Sequence, residues 1–324
     1  MAENRNFIYI VGRGHSGSTL LAGLLGHADD VESVGELVYP MTKLCSCGQP
    51  FARCEFWQQV RVYFEQESGL GWEESMKLIQ QQAHILQFPR TMTMRKSSST
   101  VQEMIKINRS LAAAIGHVAG RGQILDASKQ PSRALFLIRH LPETKFIHIV
   151  RQPEEYLASY YYRIKQGGVN FFRREYRSGP LDIVFLAAVA LSWTVANLAV
   201  ELIRLRYPGR VVRVRYEDLC RNPKAELLRL QSFLKLDLSS VIKAVEQRET
   251  MRIGHIVGGN AHMRSGDGFV FEPKLGVRRP ISGIHKIMVQ LLSWPLMLLY
   301  KYSLFGSTDV LPSTVGTAVD SKTT

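Results

Sequence analysis

Short apolar runs alternate with helical periods along this chain. Residues 7–11 (FIYIV) and 146–150 (FIHIV) are almost continuously apolar, as expected of strands covered on both faces. Residues 123–127 (QILDA) and 211–216 (VVRVRY) are strands of similar length. Leucines at 20, 21, 24 and 25 give residues 19–26 a helical apolar face. Met104, Ile107, Leu111, Ile115 and Val118 recur every three or four residues and predict an amphipathic helix. Residues 56–87 are helical in pattern with indistinct ends, and further helical patterns cover 131–140, 154–164 and 182–206. Pro223 after Asn222 opens another helix, which runs to about Leu236. Proline, basic residues and a serine run make 88–100 (FPRTMTMRKSSST) a mobile loop in this reading. Strands separated by helices predict a three-layer α/β fold with a mainly parallel sheet. Residues 1–306 read as one domain, with 37–100 inserted in it, and 307–324, small and polar, as a loose tail.

Two apolar stretches invite comparison with membrane spans. Residues 183–200 contain no charge over 18 positions, but Ser192, Trp193, Thr194 and Asn197 interrupt them, which favours a helix buried in the core. The 14 uncharged residues 287–300 are too short to span, and suit a packed or surface-lying helix. The opening MAENRNFIYIV lacks the layout of a signal peptide, so the expected location is cytoplasmic, with contact at a membrane surface compatible.

Charge narrows the partners. The chain has 41 Lys and Arg against 28 Asp and Glu, a net charge of +13, which suits an anionic ligand, an anionic membrane face or nucleic acid. Residues 163–178 concentrate Arg163, Lys165, Arg173, Arg174 and Arg177 around Phe171 and Phe172. No nucleic-acid recognition module accompanies them, so nucleic acid is not an expected partner.

The candidate chemistry gathers at strand ends. Residues 12–21, GRGHSGSTLL, follow the first strand and open a helix, the frame of a phosphate-gripping loop. The lysine that nucleotide hydrolases place before Ser/Thr is absent, and the cations nearby are Arg13 and His15. Arg151 follows FIHIV, with Ser159 early in the next helix, an Arg fork and a hydroxyl suited to a second phosphate. Lys129 ends residues 126–129 (DASK), where it is either a charge that follows a transferring group or a surface lysine near a helix start. Residues 215–218 (RYED) end a fourth strand, and 258–266, rich in Gly, Asn and Arg, read as a ligand-covering loop.

Taken in order, GRGHSGSTLL, SVGE at 33–36, DASKQP at 126–131, VRQPEEYLASYY at 150–161, RYEDL at 215–219 and GGNAHMR at 258–264 resemble the PAPS-dependent sulfotransferases. The similarity is greatest to the bacterial and Golgi-type branches acting on carbohydrates and tyrosyl proteins. It implies a P-loop-like α/β fold and a sulfuryl donor, 3'-phosphoadenosine 5'-phosphosulfate (PAPS), with no metal expected. By the same resemblance, Arg13, Gly14, His15, Ser16, Gly17, Ser18 and Thr19 surround the 5'-phosphosulfate, Arg151 and Ser159 hold the 3'-phosphate, and Arg264 covers the nucleotide. Lys129 would stabilise the sulfuryl group in flight and Glu36 would take the proton of the acceptor, with Asp126 as a group orienting Lys129. His15 stands where the family usually has Lys or Arg, so it acts as a cation there or leaves that duty to Arg13 and Lys129. The acceptor implied is a hydroxyl, less often an amine, of a small molecule, glycan or lipid.

Two other readings fit parts of the pattern. A kinase with a degenerate loop would need a Mg²⁺-binding acidic pair, for which Asp126 is the one candidate member. A non-catalytic nucleotide- or glycan-binding protein would explain His15 in place of the usual cation. Cys45, Cys47 and Cys54 form C-x-C-x₆-C, expected as a local disulfide or as packed thiols; a zinc site would require Cys220 or a histidine to join them.

Overall fold

The computed structural model describes residues 5–38, 44–165, 181–259, 268–273 and 282–304. Among them run five strands, β1 (Asn6–Gly12), β2 (Val31–Gly35), β3 (Gln123–Lys129), β4 (Lys145–Val150) and β5 (Val211–Arg215). They form one parallel sheet in the order β2-β3-β1-β4-β5. The helices are α1 (Ser18–Gly26), α2 (Glu55–Ser68), α3 (Trp72–Ala83), α4 (Phe88–Thr93), α5 (Ser99–Ala119), α6 (Pro131–His140), α7 (Pro153–Lys165), α8 (Leu181–Arg206), α9 (Tyr216–Arg221), α10 (Pro223–Leu234), α11 (Ser239–Gln247) and α12 (Gly283–Leu299).

The three layers follow from the strand alternation. Ile8 and Ile10 of β1, with Ile147, Ile149 and Val214, pack against leucines of α1 and α10 on one face. Tyr9 and Val11 point the other way, into a cluster with α6 and α8. Toward β2, Phe7, Val34 and Ile124 pack with Trp57, Phe64, Ile79 and Leu111 from α2, α3 and α5. The chain leaves β1 toward β2 on one side and leaves the neighbouring β3 toward β4 on the other, so the direction of the connections reverses between β1 and β3. Such a switch point, at the carboxyl ends of the strands, is where open α/β sheets hold ligands.

Several expectations are revised. Residues 88–100 are not a continuous loop: Phe88–Thr93 is a short helix, with proline in its first turn, where its missing N–H costs nothing. β2 was not evident because its polar residues are buried, Glu32 against Arg252 at 3.4 Å. The short helices α9 and α11 carry too few periods to register. α8 buries Trp193 and Asn197 as a core helix would, and 56% of its most apolar window is buried, although Val184–Arg206 has the length and composition to cross a membrane. α12 packs on α7 and α8 but exposes Ile284, Ile287, Leu291, Trp294 and Leu298. The basic stretch beyond Lys165, Arg264 and the proposed tail lie outside the described residues.

Candidate active site

The glycine loop leaves β1 and enters α1 in a conformation dictated by its neighbours. Gly17 has φ 92°, and a Cβ there would stand 2.2 Å from Cδ2 of Tyr216. At Gly12, a Cβ would stand 2.4 Å from the Ile149 carbonyl oxygen. Glycine is therefore obligatory at both places, and the first residue of α9 forms a wall of the loop. His15 also adopts positive φ, 68°, an uncommon conformation for a residue with a side chain. The Ser16 hydroxyl is fully buried and has no hydrogen-bond partner among the described residues.

Arg151, just after β4, reaches the same loop. It donates to the His15 carbonyl at 3.3 Å and to Glu155 at 2.9 Å, and its guanidinium lies 4.5 Å from the centre of the Tyr216 ring. Its Nε is buried with no hydrogen-bond partner among the described residues. Burial raises the pKa of Glu155 above its ordinary value, against the opposing pull of Arg151. Ser159 of α7 meets the His15 ring, Oγ to Nδ1 3.5 Å, and Tyr160 meets its edge at 5.1 Å. His15 thus turns toward α7, while Arg13 donates to Ser192 of α8 at 3.3 Å. Glu217 fastens the neighbouring turn by accepting from the Gln152 amide and the Tyr302 hydroxyl, both at 2.9 Å.

The opposite wall is built from β2 and β3. Lys129 donates to Glu36 at 2.5 Å and to the Ala127 carbonyl at 3.1 Å. Glu36 Oε1 also accepts from the Gly259 amide at 3.1 Å, and the Glu36 amide donates to the Val257 carbonyl at 2.7 Å. The segment around 254–259 therefore runs along the outer edge of β2 and reaches the glycine loop, for Gly259 faces Thr19. Tyr9 pins the turn after Lys129: its hydroxyl donates to the Gln130 carbonyl and accepts from the Gln130 amide.

The Asp126 carboxylate is committed away from Lys129, to Arg133 and Ser128. Both it and Arg133 are completely buried, with Oδ2 accepting from Arg133 Nε at 2.9 Å. Oδ1 accepts from the amide and hydroxyl of Ser128 at 2.9 and 2.5 Å. Both carboxylate oxygens of Asp126, which a Mg²⁺ would need, are therefore engaged within the protein.

Sequence reasoning brought Glu36, Lys129, His15, Arg151, Ser159 and the loop to one end of the sheet, and the structure places them there. RYEDL and the 258–266 segment brought Tyr216, Glu217 and Gly259 forward, but not their contacts: Tyr216 on Gly17, Glu217 on Gln152 and Tyr302, and the Gly259 amide on Glu36. The Asp126–Arg133 pair had no local signature.

The model of the Sulfotransferase family matches residues 8–240. The chain belongs to the sulfotransferase family. No curated protein matches it. Among solved structures, the sulfotransferase domain from the curacin biosynthetic pathway is similar over 93% of this chain and 99% of its own, at 17% identity and a TM-score of 0.50. The sulfotransferase domain from the Synechococcus PCC 7002 olefin synthase aligns over 93% and 96%, at 18% identity and TM-score 0.49. A sulfotransferase from Alicyclobacillus acidocaldarius aligns over 92% and 96%, at 14% identity and TM-score 0.47. At 17% identity the curacin-pathway domain speaks for the fold alone, and the family match speaks for sulfotransferase activity.

Proposed function

We propose that this sulfotransferase takes its sulfuryl group from PAPS and passes it to a hydroxyl oxygen of a small-molecule, glycan or lipid acceptor. The observation that carries this reading is the Lys129–Glu36 pair, 2.5 Å apart at the carboxyl ends of adjacent strands beside the glycine loop. The loop and the start of α1 suit a phosphosulfate: the amides of Ser16, Gly17 and Ser18 and the hydroxyls of Ser18 and Thr19 would hold it. A buried Ser16 hydroxyl without a protein partner fits a group completed by a ligand oxygen. Arg151, whose buried Nε has no hydrogen-bond partner among the described residues, and Ser159 would take the 3'-phosphate.

The donor supplies the sulfuryl group and departs as the 3',5'-bisphosphate. Glu36 takes the proton of the acceptor hydroxyl as the oxygen bonds to sulfur, while the Lys129 ammonium neutralises charge gathering on the transferring oxygens. Until then each holds the other in place. Arg13 and His15 are tied to α8 and α7, so in this reading they shape the loop and Lys129 carries the duty of the missing loop cation. Arg264 keeps its role as a cover for the nucleotide. The exposed apolar faces of α8 (Leu191, Val195, Leu198, Leu202) and α12 support peripheral contact with a membrane.

Calorimetric titration in Mg²⁺-free buffer with 3'-phosphoadenosine 5'-phosphate, ADP and ATP tests the donor. Binding that requires the 3'-phosphate, and is lost in Arg151→Ala, is expected. Equal or tighter binding of ATP, strengthened by Mg²⁺, overturns the proposal in favour of phosphoryl transfer.

A further inference from the structure

Three cysteines and a histidine from distant parts of the chain converge beside β2. Cys45 and Cys47 lie in a tight turn closed by the Cys45 amide on the Gln49 carbonyl and the Gly48 amide on the Cys45 carbonyl. Cys54 is the N-cap residue of α2, and His255 arrives from the segment that follows α11. The four candidate ligand atoms all lie within 4.8 Å of one another.

Their spacing is specific. Cys54 Sγ is 3.7 Å from Cys45 Sγ and 3.6 Å from Cys47 Sγ. His255 Nδ1 is 3.6 Å from Cys45 Sγ and 3.3 Å from Cys54 Sγ. Tetrahedral zinc, with bonds of about 2.3 Å to sulfur and about 2.0 Å to nitrogen, sets sulfurs about 3.8 Å apart and S···N pairs about 3.5 Å apart. Four of the six edges thus match a tetrahedron around one ion. A disulfide would need sulfurs about 2.05 Å apart, and all three cysteines are free.

The surroundings suit a metal better than packed thiols. The His255 ring lies flat on Phe56, with centroids 4.6 Å apart and 3° between planes, and its carbonyl accepts from Trp57 Nε1 at 3.2 Å. Both contacts fix the ring with Nδ1 toward the sulfurs. Cys45 and Cys54 are buried, and Cys47 is exposed, offering a way in for the ion.

We propose that Cys45, Cys47, Cys54 and His255 bind one structural Zn²⁺. Three thiol protons pass to solvent as three thiolates and one neutral imidazole fill the four positions, leaving none open for catalysis. The inference departs from the sequence expectation that no metal is present, and it is independent of the donor. The ion would clamp the 44–54 turn to the segment that carries Val257 and Gly259 to Glu36. That seam already holds through the Ser46 amide on the Ile256 carbonyl at 2.9 Å and the Ile256 amide on Ser46 Oγ at 3.1 Å.

The test uses the full chain, produced with zinc and purified reduced. Elemental analysis is expected to give about one zinc per chain. Replacement by Co²⁺ is expected to give the sulfur-to-cobalt charge-transfer band and the intense visible bands of a tetrahedral thiolate site. Cys47→Ser, at the exposed ligand, should weaken metal binding by at least about tenfold, and Cys220→Ser should leave it unchanged. Because the wild-type cobalt spectrum is read without any variant, failure of Cys47→Ser to fold does not shield the proposal. Zinc well below one equivalent with no thiolate-cobalt band, full metal affinity in folded Cys47→Ser, or a mass showing two hydrogens lost to a disulfide would each overturn it.

Discussion

Changing Glu36 to Gln removes the proton acceptor and the charge facing Lys129 while leaving an oxygen to hold its hydrogen bonds. The carboxylate accepts two hydrogen bonds, from Lys129 Nζ at 2.5 Å and from the Gly259 amide at 3.1 Å, both on Oε1. A Gln amide oxygen can accept both at the same length, so the wall between β2, β3 and the Gly259 segment keeps its shape. What disappears is a group able to hold the acceptor's proton. A positioned general base contributes about 10²- to 10⁴-fold, equivalent to about 2.7–5.4 kcal/mol of activation free energy. Single-turnover transfer from labelled donor should therefore slow by at least about a hundredfold. Affinity for the 3',5'-bisphosphate, measured by calorimetry on the same preparation, should hardly change, because Arg151, Ser159 and the loop are untouched. A rate within about fivefold of the unaltered protein, with bisphosphate binding intact, would refute Glu36 as the base.

Gly17→Ala should cost about 1–3 kcal/mol in chemical denaturation and abolish bisphosphate binding, because its Cβ would stand 2.2 Å from the Tyr216 ring. Adding Tyr216→Ala should recover part of that loss; no recovery would refute the steric account. Arg133→Met should destabilise the fold by about 3–5 kcal/mol by stranding the buried Asp126 charge, and Asp126→Leu in the same chain should restore much of it; a purely additive cycle would be the contrary result. Burial opposes ionisation of Glu201, but His148 at 3.5 Å, the hydrogen bond from Arg204 and the charge of Arg213 outweigh it and depress the pKa from 4.5 to about 2. Its folded value is the lower one, so its contribution to stability is present above about pH 4.5 and lost as pH falls through about 2. Glu201→Gln should flatten that part of the stability profile in acid titrations monitored by circular dichroism. Vesicles of anionic lipid should co-sediment with the protein and release it when Leu291 and Trp294 are changed to Ser, if the exposed face of α12 meets a membrane.

How much of this was visible beforehand depended on distance along the chain. FIYIV and FIHIV announced β1 and β4 because a strand covered on both faces needs no polar alternation. The glycine spacing announced the loop because backbone geometry there is local. VESVG did not announce β2: its Glu32 is buried by pairing with Arg252, which lies 220 residues away. The same limit hid the reason for Gly17, which is a ring at Tyr216, and the partner of Asp126, whose carboxylate looked free to serve Lys129 or a metal. It also left the three cysteines without the histidine that joins them. Phe88–Thr93 was misread for a local reason: proline in a first turn carries the same signal as proline in a loop.

The segment bearing Val257 and Gly259 also has a consequence during biosynthesis. The loop, Glu36 and Lys129 all leave the ribosome well before it, and the last sheet strand, β5, is complete by Arg215. A nascent chain stopped there already owns the whole sheet, yet Glu36 still lacks the amide of Gly259 and the carbonyl of Val257, and the outer edge of β2 is bare. Synthesis from one end therefore delivers the reactive pair first and its restraint last. Until residue 259 emerges, the outer edge of β2 lacks the segment that covers it, and Glu36 lacks the amide that holds it.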